Sequence, residues 1–374
     1  MGTPVCQIAQ GIISGYVEGD DNQTIMKVLY AIQGTGNGHL TRAKEIIPAL
    51  KKRVDLDVLI SGIQSDIDLA FPIKYKCHGL SFIFGKNGGV NFIETFRKNK
   101  IHRVIKEIRE CPVQDYDLII NDFEPISAWA SKIKGVKCIS LSHQAALRSK
   151  NVPKPRHNDW VGTLILKNYA PCIDYFGFHF DRYDENIFLP VIRSEIRNLE
   201  IKEKGHYTVY LPSYSDGKIL KVFSKIKGVE WQVFSKHASG SYQTENIKIE
   251  PLNAENFMYS MASSNGVLCG AGFETPAEAL FLMKKLMVIP MKGQYEQHFN
   301  AEGLKHLGVP VLKKLGKGNI ENIQDWVTNG KIIHKRFPDQ TQVIVDDLLK
   351  QYLNSGVRSF NNLHFSPHNQ FEPI

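Results

Sequence analysis

The chain has 374 residues, 43% of them hydrophobic, and a formal net charge of +8. That is enough for two α/β domains with separate cores, and no apolar run reaches the roughly 18 residues needed to span a bilayer. The positive excess is modest and no recognised nucleic-acid motif accompanies it, so the reading is against nucleic acid as a partner.

Residues 1–25 read as an extension or tag without regular structure. They lack the basic start of a signal peptide, and the stretch from Val5 to Val17 is interrupted by Gln, Gly and Ser. Regular pattern begins at Met26. Strands are predicted at 27–33, 56–61, 117–122, 137–142 and 173–178, with helices at 41–53, 91–110 and 125–134. The pattern pauses at Leu189-Pro190-Val191, where the proline favours an extended connection. A second series follows, with strands at 207–211, 231–235, 247–250, 266–269 and 286–290. Its helices are predicted at 217–226, 254–264, 275–283 and 298–306, and 340–353 reads as a last amphipathic helix. Alternating strands and helices imply parallel sheets. The expected organisation is α/β, with two doubly wound domains at 26–189 and 190–336. Residues 337–354 then return toward the first domain, and a flexible tail follows at 355–374.

Cys6, Cys77, Cys111, Cys138, Cys172 and Cys269 show neither CxxC nor a metal-site spacing, and read as reduced thiols of a cytoplasmic protein. Much of the positive charge lies between Lys74 and Arg109, interleaved with Phe82, Phe84, Phe92 and Phe96. The favoured reading is a solvated amphipathic helix with Phe92, Phe96, Val104, Ile105 and Ile108 toward the core. The competing one is a surface for anionic lipid or a phosphate-bearing acceptor.

Two glycine turns stand where chemistry is expected, just after strands. The first is Gly34-Thr35-Gly36-Asn37-Gly38-His39, a GxGxG spacing rather than GxGxxG. No acidic residue closes the next strand, which is against a dinucleotide site. The second lies in residues 269–301, where Gly270 and Gly272 precede a helix and Glu296, Gln297 and Asn300 follow the next strand. Thr275 and Glu278 fit a capping box, with Pro276 at the first helical position. Equally, Glu278 one turn into the helix is placed to accept two hydrogen bonds from a vicinal diol.

These two patches resemble GT-B glycosyltransferases, most closely the peptidoglycan N-acetylglucosaminyltransferase group and related uncharacterised glycosyltransferase-like proteins. The resemblance implies two Rossmann-like domains facing across a cleft, the first binding the acceptor and the second a nucleotide sugar. It implies that Gly34, Gly36, Asn37 and Gly38 form the acceptor-side loop and that Glu278 binds ribose. Gly272, Phe273 and Thr275 would lie along the diphosphate or base, Glu296 and Gln297 would meet the donor sugar, and Gly270 and Asn300 belong to the same donor-binding surface. Phe273-Glu274 departs from the small residues usual there. Ser213 or Ser215 replaces a full glycine-serine phosphate loop.

Glycosyl transfer needs a base for the acceptor hydroxyl and stabilisation of the departing diphosphate. His39 is the first candidate base because imidazole titrates near neutrality. Asp122, Glu124 and His143 are rival candidates at neighbouring strand ends, with helix capping the competing reading for the acids and loop solvation for the histidine. Three Asp-x-Asp pairs, at Asp55 and Asp57, Asp66 and Asp68, and Asp115 and Asp117, precede strands or open a helix, so no metal and no cofactor are expected.

The leading expectation is a metal-independent, inverting transferase, hexosyl- or N-acetylhexosaminyl-, that uses a UDP-sugar and acts on a glycan or lipid-linked acceptor. It would be cytoplasmic, with peripheral contact at an anionic inner membrane face and a role in cell-envelope glycans. The competing expectations are a UDP-sugar 2-epimerase and a non-catalytic nucleotide-sugar sensor.

Overall fold

The computed structural model describes residues 25–35, 37–62, 70–80, 101–155 and 168–354. The leader, the tail, Cys6, Gly36, Asp66, Asp68, Phe82, Phe84, Phe92 and Phe96 lie outside these residues.

The first half begins with β1 (Lys27–Gln33), α1 (Asn37–Lys51), β2 (Asp55–Ser61), β3 (Tyr75–Cys77) and α2 (Ile101–Glu110). It continues through β4 (Leu118–Asp122), α3 (Pro125–Lys134), β5 (Cys138–Ser142), α4 (His143–Ala146), β6 (Asp174–Phe178) and β7 (Ile187–Phe188). The strands form one parallel sheet in the order β3-β2-β1-β4-β5-β6-β7. β1 is buried on both faces, which explains its unbroken apolar run. Val28, Tyr30 and Ile32 join Leu40, Ile46 and Leu50 of α1 on one side, while Leu29 and Ala31 meet Ile126 and Ala128 of α3 on the other. In α2, Val104 is buried and Ile108 packs against the core. Ile105, expected to face inward, is 41% exposed.

After a linker containing α5 (Ser194–Arg197), the second half runs β8 (His206–Tyr210), α6 (Asp216–Phe223), β9 (Glu230–Ser235), β10 (Tyr242–Thr244), β11 (Ile247–Pro251) and α7 (Ala254–Ser263). Then come β12 (Gly266–Cys269), α8 (Glu274–Phe281), β13 (Lys285–Val288), α9 (Tyr295–His306), α10 (Ile320–Asn329) and α11 (Thr341–Asn354). The sheet order is β10-β11-β9-β8-β12-β13, parallel except for the β10–β11 pair. Each sheet has a switch point, β1/β4 in the first and β8/β12 in the second, where helices leave in opposite directions and open a crevice at the strand carboxyl ends.

The cores are not separate as expected. One face of the second sheet has its own cluster, with Trp231, Phe223, Trp326 and Leu268. Its other face shares a continuous apolar cluster with the first sheet, running from Val28 and Phe178 through Phe180 to Phe273, Ala277 and Val267. The last helix, α11, packs on α1. Ile344, Val345, Leu348 and Leu349 enter that shared cluster, Arg53 Nε donates to Asp346 at 2.8 Å, and Tyr352 donates to the Asp117 carbonyl at 2.9 Å.

Several boundaries differ from expectation at the strand ends. α1 starts at Asn37 rather than residue 41, so His39 stands in a helical first turn, not in a loop. Gly38 lies against Glu274: a Cβ there would meet Oε2 at 2.5 Å and displace that carboxylate. α9 starts at Tyr295 rather than 298, which places Glu296 and Gln297 in its first turn. α8 starts at Glu274, with Phe273 before it making no side-chain cap, so the Thr275–Glu278 capping box does not form and Pro276 is the third helical residue. Gln144 and His143 form the short helix α4, capped by Ser142, whose Oγ accepts from Ala145 N at 3.2 Å.

Candidate active site

The crevice at β1/β4 gathers a charged cluster around Asp122, the last residue of β4. Asp122 is fully buried. His39 Nδ1 lies 2.8 Å from its Oδ1, and Arg42, three residues along α1, donates NH2 to Oδ1 at 2.7 Å and Nε to Oδ2 at 3.2 Å. Tyr30 adds a longer contact of 3.4 Å. Burial would raise the Asp122 carboxyl, but Arg42 and His39 outweigh it and hold it down at about 2. An ionised acceptor at Nδ1 fixes the imidazole tautomer, with the proton on Nδ1 and the lone pair on Nε2. Gln144 Nε2 stands 3.3 Å from that Nε2 and also donates to Glu296 at 3.0 Å.

Glu124, Asp122 and His143, the rival candidate bases, separate here. Glu124 caps α3, accepting from Ile126 N at 2.6 Å and Ser127 N at 2.7 Å, which is its helix-capping reading. Asp122 caps nothing. His143 is not a solvated loop residue. It is 3% exposed, its Nε2 lies 2.8 Å from Glu296 Oε1, and its ring stacks on Phe273 with centroids 4.9 Å apart. Burial works against ionisation of Glu296, yet His143 beside it holds the carboxyl below its ordinary value.

The second wall spends most of its polar groups on itself. Glu278 is buried, and both oxygens are taken by Arg193 of the linker, at 2.7 Å from Nε and 2.9 Å from NH2. Burial lifts its carboxyl above the usual range, with Arg193 opposing that shift. Gln297 accepts from Met291 N at 2.9 Å and donates to Gln294 at 2.7 Å. Asn300, 1% exposed, donates to the Ala271 carbonyl at 3.2 Å. Phe273, expected beside the diphosphate or base, is instead packed between His143 and Phe180. Gly270 lies 3.5 Å from Gln297 Oε1, measured from an added Cβ, while one at Gly272 would meet nothing within 4 Å. Ser213 and Ser215 are exposed after β8, Ser215 at the start of α6 without a side-chain cap. Thr275 lies in the first turn of α8.

Three site residues escaped the sequence reading. Arg42 was detectable as the i+3 neighbour of His39 once the helix start was placed correctly. Arg193 had no local signal, because its partner is 85 residues away. His179, just past β6, is 1% exposed, and neither ring nitrogen has a hydrogen-bond partner among the described residues. Burial, with His143 second, lowers its pKa to about 4.

Among the described residues no group of three or more His, Cys, Asp or Glu is arranged to hold a metal ion, and no helix is long and apolar enough to cross a membrane. Two of the three Asp-x-Asp pairs fall on described residues, at the amino end of the first sheet. Asp57 accepts from Lys74 at 2.6 Å and Tyr116 at 2.7 Å, and Asp117 from Lys27 N at 2.7 Å.

Solved structures share this arrangement of two sheets at low identity. MurG of Acinetobacter baumannii is 14% identical with a TM-score of 0.54, over 87% of this chain and 99% of that one. The spinosyn rhamnosyltransferase SpnG is 14% identical with a TM-score of 0.52, over 88% and 96%. Arabidopsis thaliana UGT89C1 complexed with UDP-L-rhamnose is 12% identical with a TM-score of 0.52, over 88% and 95%. No curated protein matches the chain. The family model described as Glycosyl transferase family 1 matches residues 26–330. With the two-sheet GT-B fold and its facing crevices, the chain belongs to this family and is a glycosyltransferase.

Proposed function

We propose that the protein transfers a hexosyl or N-acetylhexosaminyl group from a UDP-sugar to an acceptor hydroxyl held by the first half, with inversion and without a metal. The observation that carries this reading is the His39–Asp122 pair. An ionised, fully buried carboxylate 2.8 Å from Nδ1 leaves Nε2 as the basic nitrogen, and it stands at the switch point of the acceptor-side sheet. The acceptor O–H proton passes to His39 Nε2 as the oxygen bonds to the anomeric carbon. The bond from that carbon to the diphosphate oxygen breaks on the opposite face, and the departing charge stays on the diphosphate.

Support for the donor is coarser. UGT89C1, of the same fold, was solved with UDP-L-rhamnose, and SpnG has also been solved with thymidine diphosphate. The metal-free reading is supported by Asp57 and Asp117, whose carboxylates are already engaged at the sheet end away from the crevice. A lipid-linked acceptor at an anionic, inner membrane face fits the basic composition of residues 74–109, most of which lie outside the described residues.

The test is product analysis with a panel of UDP-sugars and dTDP-sugars, with and without lipid-linked and free glycan acceptors. New glycoside of inverted anomeric configuration supports the reading. An epimerised donor formed without acceptor overturns it in favour of an epimerase, and binding without turnover in favour of a sensor.

A further inference from the structure

The nucleotide-sugar reading leaves Glu274 unexplained, and Glu274 is the residue through which the two halves share a charge. Its Oε1 accepts from Arg42 NH1 at 2.8 Å across the crevice. Arg42, 2% exposed, has all three guanidinium nitrogens engaged: Nε and NH2 serve Asp122 and NH1 serves Glu274. Gly38 faces the same carboxylate, so that a Cβ added there would stand 2.5 Å from Oε2. Phe273, the preceding residue, is locked against His143, which fixes the direction in which Glu274 leaves the backbone.

The local charge does not balance. Asp122 and Glu274 are two carboxylates on the single guanidinium of Arg42, His39 lies against Asp122, and a third carboxylate, Glu296, pairs with His143. A doubly anionic diphosphate entering this crevice meets like charge at a few ångströms, where screening is weak. Asp122 is buried behind Arg42 and Glu296 is engaged by His143 and Gln144. Glu274 meets Arg42 through NH1 alone and has its side chain 19% exposed, whereas Asp122 is fully buried.

We propose that Glu274 is a donor-specificity residue that stands in for phosphate: it occupies Arg42 NH1 and yields it to the donor's diphosphate. The inference rests on the nucleotide-sugar reading and adds to it. Glu274 sets a penalty against phosphate that only a donor able to replace the Arg42 contact overcomes, so nucleosides and diphosphates are discriminated by this side chain.

The experiment is calorimetric titration of the full chain at low salt with uridine and UDP, thymidine and dTDP, guanosine and GDP, and adenosine and ADP. The quantity read is the ratio of nucleoside Kd to diphosphate Kd. Glu274→Gln removes the competing charge and raises that ratio about tenfold, whereas Glu274→Asp keeps the charge and the ratio. Gly38→Ala, a change in the other half, pushes the carboxylate off and raises the same ratio even if Glu274→Gln fails to fold. Unchanged ratios in the folded variants overturn the inference while leaving the donor reading intact. Absence of binding of every ligand to the wild-type chain and to all variants overturns the donor reading, and this inference with it.

Discussion

The two walls of the crevice are built from similar residues and use them in opposite ways. On the first wall, His39, Arg42 and Asp122 form a network that leaves one basic nitrogen, Nε2, free of the carboxylate. On the second, Glu278, Gln297 and Asn300 turn their polar atoms onto Arg193, Gln294, Met291 and Ala271. The same residue types at a strand end are therefore used in two ways: on one side they leave a basic nitrogen toward the crevice, on the other they hold the wall that faces it. Residue type and spacing locate a wall, but the partner decides which job a side chain has.

The contrast is sharpest in mutants. His39→Ala is expected to lower turnover about 10²–10⁴-fold with donor affinity kept, measured by single-turnover kinetics beside calorimetry. Unaltered turnover would move the reactive nitrogen elsewhere and break the comparison. Glu278→Ala leaves Arg193 buried without its counter-ion, and a loss of about 3–5 kcal/mol is expected in urea unfolding. A fall in nucleotide affinity with stability intact would instead return Glu278 to ribose binding.

Acid separates two groups of the first wall. The folded His179 titrates at about 4, below its ordinary value, because burial disfavours the charged ring. Above about pH 6.5 it is neutral in both folded and unfolded chains and contributes nothing. Between about 6.5 and 4 the unfolded chain takes up a proton that the folded one refuses, so stability falls by on the order of 2–3 kcal/mol. Asp122 acts lower: its folded value of about 2 contributes stability above about pH 4 that is lost as pH falls toward 2. Unfolding midpoints recorded from pH 7 to 2 should lose their upper limb in His179→Phe and keep the lower one. Gly177→Ala is expected to cost about 1–3 kcal/mol in the same unfolding assay, because its Cβ would stand 2.5 Å from the Ala146 backbone nitrogen under the histidine-bearing turn. A neutral result would mean that α4 is not held by that contact.

Much of the architecture was legible because its signal is local. The apolar runs of β1 and β4, buried on both faces, and the glycines that follow strands state their own positions. The short edge strands β3, β7 and β10 carry no such run, and each gains its hydrogen bonds only from a neighbour already in place. At the site, His39, Asp122, His143, Glu278 and Glu296 were all singled out from sequence. What they touch was not, because the contacts His39–Asp122, Glu278–Arg193 and Arg42–Glu274 close over separations of 83, 85 and 232 residues. Phe273 and Glu274 were visible only as a departure from pattern; their packing against His143 and Arg42 gives the departure a cause.

The return of α11 to the first half carries a consequence for dissecting the molecule. Because the chain crosses back after completing the second sheet, neither half is a continuous segment. A fragment ending near residue 190 lacks Ile344, Val345, Leu348 and Leu349, and so uncovers the part of the apolar cluster that they share with Ile46, Ile47 and Leu50 of α1. Complementation of two fragments, or a permuted chain that begins inside the linker, would have to carry residues 341–354 with the first sheet to reconstitute it.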